Sequence, residues 1–83
     1  MGRFEIEFSK KAAKDYKKLP KDYKVLVDLT LHKLSEGLPI DIKPITGEED
    51  SYRIRIGKYR ILFSIIGNAI LITKIGARGD VYK

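Results

Sequence analysis

The sequence predicts an α+β fold of order β-α-α-β-β-β, with an N-terminal helical hairpin packed on one face of a mainly antiparallel sheet. Three observations lead there. The first residues alternate apolar and charged side chains, two helical stripes follow, and residues 52–76 are rich in β-branched and aromatic residues. At 83 residues the chain is expected to form one domain, 1–83. A domain of this size buries only a little more than ~60% of its unfolded surface, so the core is a single layer of helix on sheet.

In RFEIEF, Phe4, Ile6 and Phe8 alternate with Glu5 and Glu7, the period of a half-buried strand. Ser9 is placed to cap the helix that follows, in which Ala12, Ala13, Tyr16 and Leu19 recur at helical spacing and which Pro20 is expected to end. A second helix is expected over residues 21–36, with Tyr23, Leu26, Val27, Thr30, Leu31 and Leu34 as its inward stripe and Gly37 just past its end. Residues 38–51 read as an irregular connection, because they hold two prolines, a glycine and the acidic run Glu48–Asp50. Gly57-Lys58 and Gly67-Asn68 then punctuate the β-rich stretch as tight hairpin turns, giving three antiparallel strands. The last residues of the tail ARGDVYK are read as a short edge strand.

Composition narrows the function classes. The absence of cysteine removes disulfides, thiolate zinc sites and a cysteine nucleophile, and the one histidine, His32, leaves no His-rich metal site. His32 falls off the inward stripe and reads as a surface residue. No run approaches the ~18 apolar residues of a membrane span, and the charged N-terminus does not resemble a signal peptide, so the expected compartment is the cytoplasm. Seventeen Lys/Arg against eleven Asp/Glu give a net charge of +6, which points to an anionic partner such as nucleic acid.

The arrangement of charge says more than its total. Residues 10–24 hold seven lysines and no arginine, whereas four of the five arginines (Arg53, Arg55, Arg60 and Arg78) lie after residue 51. Lysine acts as a point charge, and arginine as a planar bidentate phosphate ligand. In YRIRIG the apolar side chains point to one face and Arg53 and Arg55 to the other. A two-residue turn at Gly57-Lys58 sets Ile56 opposite Tyr59 and Arg55 opposite Arg60. Like charges directly across a ladder are destabilising, so a chain that keeps them is holding an anion site or neutralising them elsewhere. Two readings fit: a rigid site for an anion, or ordinary cross-strand ion pairs with Glu5 and Glu7 from the first strand.

The string Tyr52-Arg53-Ile54-Arg55-Ile56-Gly57-Lys58-Tyr59-Arg60-Ile61-Leu62-Phe63, followed by Ile75-Gly76-Ala77-Arg78-Gly79-Asp80-Val81-Tyr82-Lys83, resembles the RelE toxins of the RelE/ParE superfamily. The β-α-α-β-β-β order and the opening strand-Ser-x-x-Ala agree, and the resemblance covers essentially the whole chain. It implies the toxin of a type II toxin–antitoxin system, an mRNA interferase that enters the ribosomal A site. There it cuts mRNA by attack of a ribose 2′-OH on the adjacent phosphate, without metal or cofactor. It also implies a cognate antitoxin as partner, with a free toxin that is monomeric and a hetero-oligomer once the antitoxin binds.

By the same resemblance Arg60, Arg78 and Tyr82 are the candidate catalytic residues. Arg60 and Arg78 would stabilise the scissile phosphate, and Tyr82 would stack on a base or orient the 2′-OH. Arg53, Arg55, Lys58, Lys10, Lys14 and Lys17 are the candidate RNA-binding residues, the helical lysines facing ribosomal RNA. Ala77 stands where many members carry His, which removes one candidate acid–base group, and Arg replaces Lys at positions 53 and 55. Two other readings are a ParE-like toxin that inhibits DNA gyrase, and a catalytically weak relative that only binds antitoxin and ribosome.

Overall fold

Alternating side chains and glycine turns lay the second half of the chain out as a meander, and the helices close over one side of it. The computed structural model describes residues 4–37, 42–45, 47 and 50–77. Its elements are β1 (Glu5–Phe8), α1 (Lys10–Lys17), α2 (Lys21–Ser35), β2 (Ile42–Pro44), β3 (Ser51–Ile56), β4 (Tyr59–Ile66) and β5 (Ala69–Ala77). Among the described residues the strands form one five-stranded sheet of order β1-β5-β4-β3-β2. β1 runs parallel to β5, and the other neighbours are antiparallel.

The local chemistry accounts for the boundaries. Ser9 Oγ accepts the Ala12 N–H at 3.0 Å and caps α1, and the same hydroxyl donates to the Thr73 carbonyl of β5 at 3.2 Å. One side chain thus starts the helix and ties it to the sheet. α1 ends at Lys17, a turn earlier than Pro20 requires, and Pro20 serves instead as the N-terminal cap position of α2. Gly37 follows α2 with φ 73°, a conformation that suits glycine past a helix C-terminus. Gly57 and Gly67 take φ 56° and 61° as the first central residues of their two-residue turns, as a type II′ turn demands.

The core forms between the sheet and the helices. Ile54, Ile61, Phe63, Ile70, Ile72 and Ile75 project from the strands against Ala12, Leu19, Val27, Leu31 and Leu34. Tyr23 of α2 meets Tyr59 of β4 with ring centroids 4.4 Å apart, and the Phe4 N–H donates to the Ser35 carbonyl at 2.8 Å. α2 therefore lies diagonally, from the β3–β4 turn to the start of β1.

Three expectations change. Residues 42–44 are an edge strand, where an irregular connection was expected. Ile42 pairs with Ile54, Lys43 with Arg53 and Pro44 with Tyr52. Proline is tolerated there because an edge strand need not donate every N–H to a neighbour. Leu26 is 44% exposed, because the sheet reaches only the Tyr23, Val27, Leu31 and Leu34 side of α2. Finally, Glu5 and Glu7 do not pair with Arg53 and Arg55. β5 and β4 lie between the two strands, a separation of roughly 14 Å at ~4.8 Å per strand.

Candidate functional site

The face of the sheet away from the helices carries the alternate residues of each strand. Their register makes two rows. One runs Lys43, Arg53, Leu62, Lys74 across β2, β3, β4 and β5, and the next runs Arg55, Arg60, Gly76 across β3, β4 and β5. Arg55 is therefore opposite Arg60, the pairing that the two-residue turn requires.

Lys43, Arg53, Arg55 and Arg60 line one small cavity of ≈ 40 Å³, several times the minimum for a single water. A second, shallower hollow of ≈ 200 Å³ lies beside it, lined by Arg55, Gly57, Lys58 and Arg60. Arg55 and Arg60 are common to both. Among the described residues no carboxylate lines either hollow. Groups of one sign around a concave surface focus the field there, so an anion is the complementary occupant.

Arg60 stands on the helix-free face, yet it is only 4% exposed and its Nε is fully screened from solvent. The register gives part of the reason: across the ladder on β5 is Gly76, which has no side chain to hold the arginine upright. Arg53, Arg55 and Lys43 close around it. Depth strengthens electrostatic contacts, and a guanidinium fixed by its neighbours spends little entropy in orienting toward a phosphate. Every described lining group of the cavity is a cation, which suits it to stabilise negative charge.

The other candidate residues divide. Arg53 and Arg55 reach the cavity from β3, and Lys58 lines the second hollow from the turn. Lys10, Lys14 and Lys17 are exposed on α1, on the helical side of the sheet, and the structure does not bring them to the arginines. Arg78 and Tyr82 lie outside the described residues. His32 is exposed beside an apolar groove formed by Ile6, Phe8, Ala13, Tyr16 and Leu31. Lys43 escapes the sequence reading because its segment reads as an irregular connection, and a three-residue strand beside Pro44 is too short to show a period.

Known proteins share this architecture. Residues 6–82 match the family model described as the ParE toxin of type II toxin–antitoxin system, parDE. A chain named RelE1 from Methanocaldococcus jannaschii is 33% identical over 87 residues, covering 98% of this chain and 97% of that one. Toxin RelE3 of the same organism is 30% identical, covering 94% of each. The crystal structure of the RelB–RelE antitoxin–toxin complex from Methanococcus jannaschii superposes with TM-score 0.81 at 30% identity, over 92% of this chain and 94% of that chain. The isolated Escherichia coli RelE toxin shares the fold, with TM-score 0.80 at 22% identity over 95% and 90% of the two chains. The mixed sheet with its helices on one side is thus the architecture of these toxins, and the chain belongs to the RelE/ParE superfamily as a RelE-type toxin of a type II toxin–antitoxin system.

Proposed function

We propose that this toxin is a ribosome-dependent endoribonuclease that cuts mRNA in the ribosomal A site, and so acts in the cytoplasm. The observation that carries the reading is the buried Arg60 in a cavity whose four described lining side chains are all cations. In the proposed reaction the ribose 2′-oxygen attacks the adjacent phosphorus and the bond to the 5′-oxygen breaks. A 2′,3′-cyclic phosphate and a 5′-hydroxyl result. The 2′-OH proton leaves as the leaving oxygen gains one. Negative charge builds on the phosphoryl oxygens as the new bond forms. Donors already fixed in place stabilise that charge without reorganising, usually the largest contribution to such catalysis.

The assignments follow from depth and reach. Arg60 would grip the non-bridging oxygens of the scissile phosphate, and Arg53, Arg55 and Lys43 would hold the flanking backbone. Arg78 and Tyr82 keep the roles the family pattern implies, a second phosphate ligand and a ring that stacks on a base or orients the 2′-OH. The described lining of the cavity supplies cations and no base, so in this reading charge stabilisation dominates. A RelB-type antitoxin is the proposed partner, acidic where it crosses the cationic hollow.

The test is translation in vitro with added toxin, read by primer extension on the mRNA. The parent should produce codon-phased cuts. Arg60→Ala should lose them by ~10²–10³ in rate, with its circular dichroism unchanged. Equal cutting by the variant sinks the assignment. Inhibition of gyrase supercoiling without mRNA cuts would establish the ParE-like reading instead.

A further inference from the structure

α2 carries apolar residues on two sides, and the fold uses only one of them. Val27, Leu31 and Leu34 are buried in the core. On the opposite side Val25, Leu26 and Leu29 are 54%, 44% and 55% exposed. Asp22 and Lys33 are exposed too, and the spacing 22, 25, 26, 29, 33 sets all five on one stripe along the helix. Among the described residues, the other exposed large apolar side chains, Phe8, Ile42 and Ile66, stand singly on three different strands. Single exposed apolar residues need no explanation, whereas a contiguous patch marks a contact surface.

The polar groups of the stripe fit a second copy of it. Thr30, at its margin, donates its hydroxyl to the Leu26 carbonyl at 2.8 Å, so it needs no partner from outside the helix. Asp22 and Lys33 form no ion pair with any other described residue. They lie at opposite ends of the patch, ~16 Å apart along the axis. Two such helices can be laid antiparallel about a two-fold axis level with the Val27–Asp28 peptide. Leu26 of each copy then meets Leu29 of the other, Val25 meets Thr30, and Asp22 meets Lys33. A parallel pair would instead set Asp22 against Asp22 and Lys33 against Lys33. Charge therefore selects the antiparallel pair, and the two-fold axis uses every contact twice.

We propose that the free toxin forms a weak two-fold dimer through α2, with Val25, Leu26 and Leu29 at its centre and an Asp22–Lys33 ion pair at each end. Contact between two 15-residue helices, each ~22 Å long, belongs to the small and transient class of interface, below about 1,200 Å² in all. The dimer therefore forms and dissociates with concentration. The arginine cavity opens on the other face of the sheet, so pairing through α2 leaves both cavities on the outside. The dimer does not depend on the ribonuclease reading, and it departs from the monomer that the family pattern implies for the free toxin.

The experiment is sedimentation equilibrium of the whole chain at ~0.15 M salt, where the net +6 of each copy is screened beyond about 8 Å. The weight-average mass of the parent should rise from 9.5 kDa toward twice that value as the concentration is raised from about 10 μM to about 1 mM. Leu26→Glu/Leu29→Glu should stay at the monomer mass with unchanged circular dichroism, since neither side chain belongs to the core. Asp22→Lys and Lys33→Asp set like charges together, and each should weaken the dimer about 2- to 30-fold, the range that two exposed ion pairs supply. Asp22→Lys/Lys33→Asp should restore the parent curve.

A parent that keeps the monomer mass up to about 1 mM overturns the dimer. A rise in mass that survives Leu26→Glu/Leu29→Glu puts the contact on another face and overturns it as well. If Asp22→Lys/Lys33→Asp does not recover the parent curve, the antiparallel register is wrong. If the parent is monomeric and Leu26→Glu/Leu29→Glu loses binding to a RelB-type antitoxin, the face belongs to that partner and the dimer is refuted. No RNA enters these measurements, so none of the outcomes bears on the role of Arg60.

Discussion

Arg55→Gln should make the free toxin more stable and less active. Arg55 lies directly across the ladder from Arg60, and both line the cavity with Arg53 and Lys43. Two unit charges about 6 Å apart repel by roughly 0.7 kcal/mol in water, and by several-fold more at a protein-surface dielectric of ~20. Arg55 is exposed, so the lower figure applies, in line with the ~0.2–1 kcal/mol of cross-strand pairs. For a domain of this size a gain of ~0.7 kcal/mol raises Tm by about 3–6 °C. Glutamine retains much of the stem that packs on the sheet, which limits the loss of contact. Calorimetric melts at low salt and at about 1 M salt supply the check, because screening shrinks from ~30 Å at 0.01 M to ~3 Å at 1 M. The variant's advantage should fade at high salt. A variant that melts lower than the parent at low salt, or one with the same gain at both, refutes the argument that this face stores repulsion for an anion to relieve.

Asp15 should make stability depend on acid. Burial pushes its carboxyl up, but hydrogen bonds from Lys11 and the Ile75 N–H, with the charges of Lys11 and Lys18, outweigh burial and hold it below the ordinary 3.8. A folded-state value lowered in this way adds stability that is full above the unfolded pKa and is lost as pH falls through the folded one. Asp15→Asn should therefore flatten the melting-temperature profile below about pH 4. An unaltered profile would remove Asp15 as the cause. The two turn glycines separate strain from space. Gly57→Ala meets Tyr23 Oη at 2.8 Å and holds φ 56°, whereas Gly67→Ala holds φ 61° with nothing within 4 Å. The second should cost about 1 kcal/mol for strain alone and the first distinctly more, read by urea melts. Equal losses would show that Tyr23 simply moves aside.

Some of this could be read from residues and some could not. A two-residue turn makes register a matter of counting, so the Arg55–Arg60 pair was legible from Gly57-Lys58 alone. Alternation likewise told which face Arg53 and Arg55 take. It gave direction but not depth: Arg60 lies beside Gly76, brought alongside from sixteen residues later, and among Lys43, Arg53 and Arg55. Strand order was illegible for the same reason. Glu5 and Glu7 carry no mark of which strand they will join, and the parallel pairing with β5 arises from how α1 and α2 return the chain. β2 was hidden by its proline, and Lys43 with it, because three residues are too few for a period to stand out against Pro44 and the acidic run beyond.

The parallel pairing of β1 with β5 also orders events during synthesis. Each residue of β1 finds its partner 64 positions later, Glu5 with Ala69 and Phe8 with Ile72. The sheet cannot close on its first strand until β5 has left the exit tunnel, which at ~5–20 residues per second is a delay of several seconds. Closing so long a loop also slows folding relative to a chain of local contacts. During that interval the arginines of β3 and β4 are already made but are not yet backed by the full sheet. The face that carries the arginines is therefore completed only after β5 has been made.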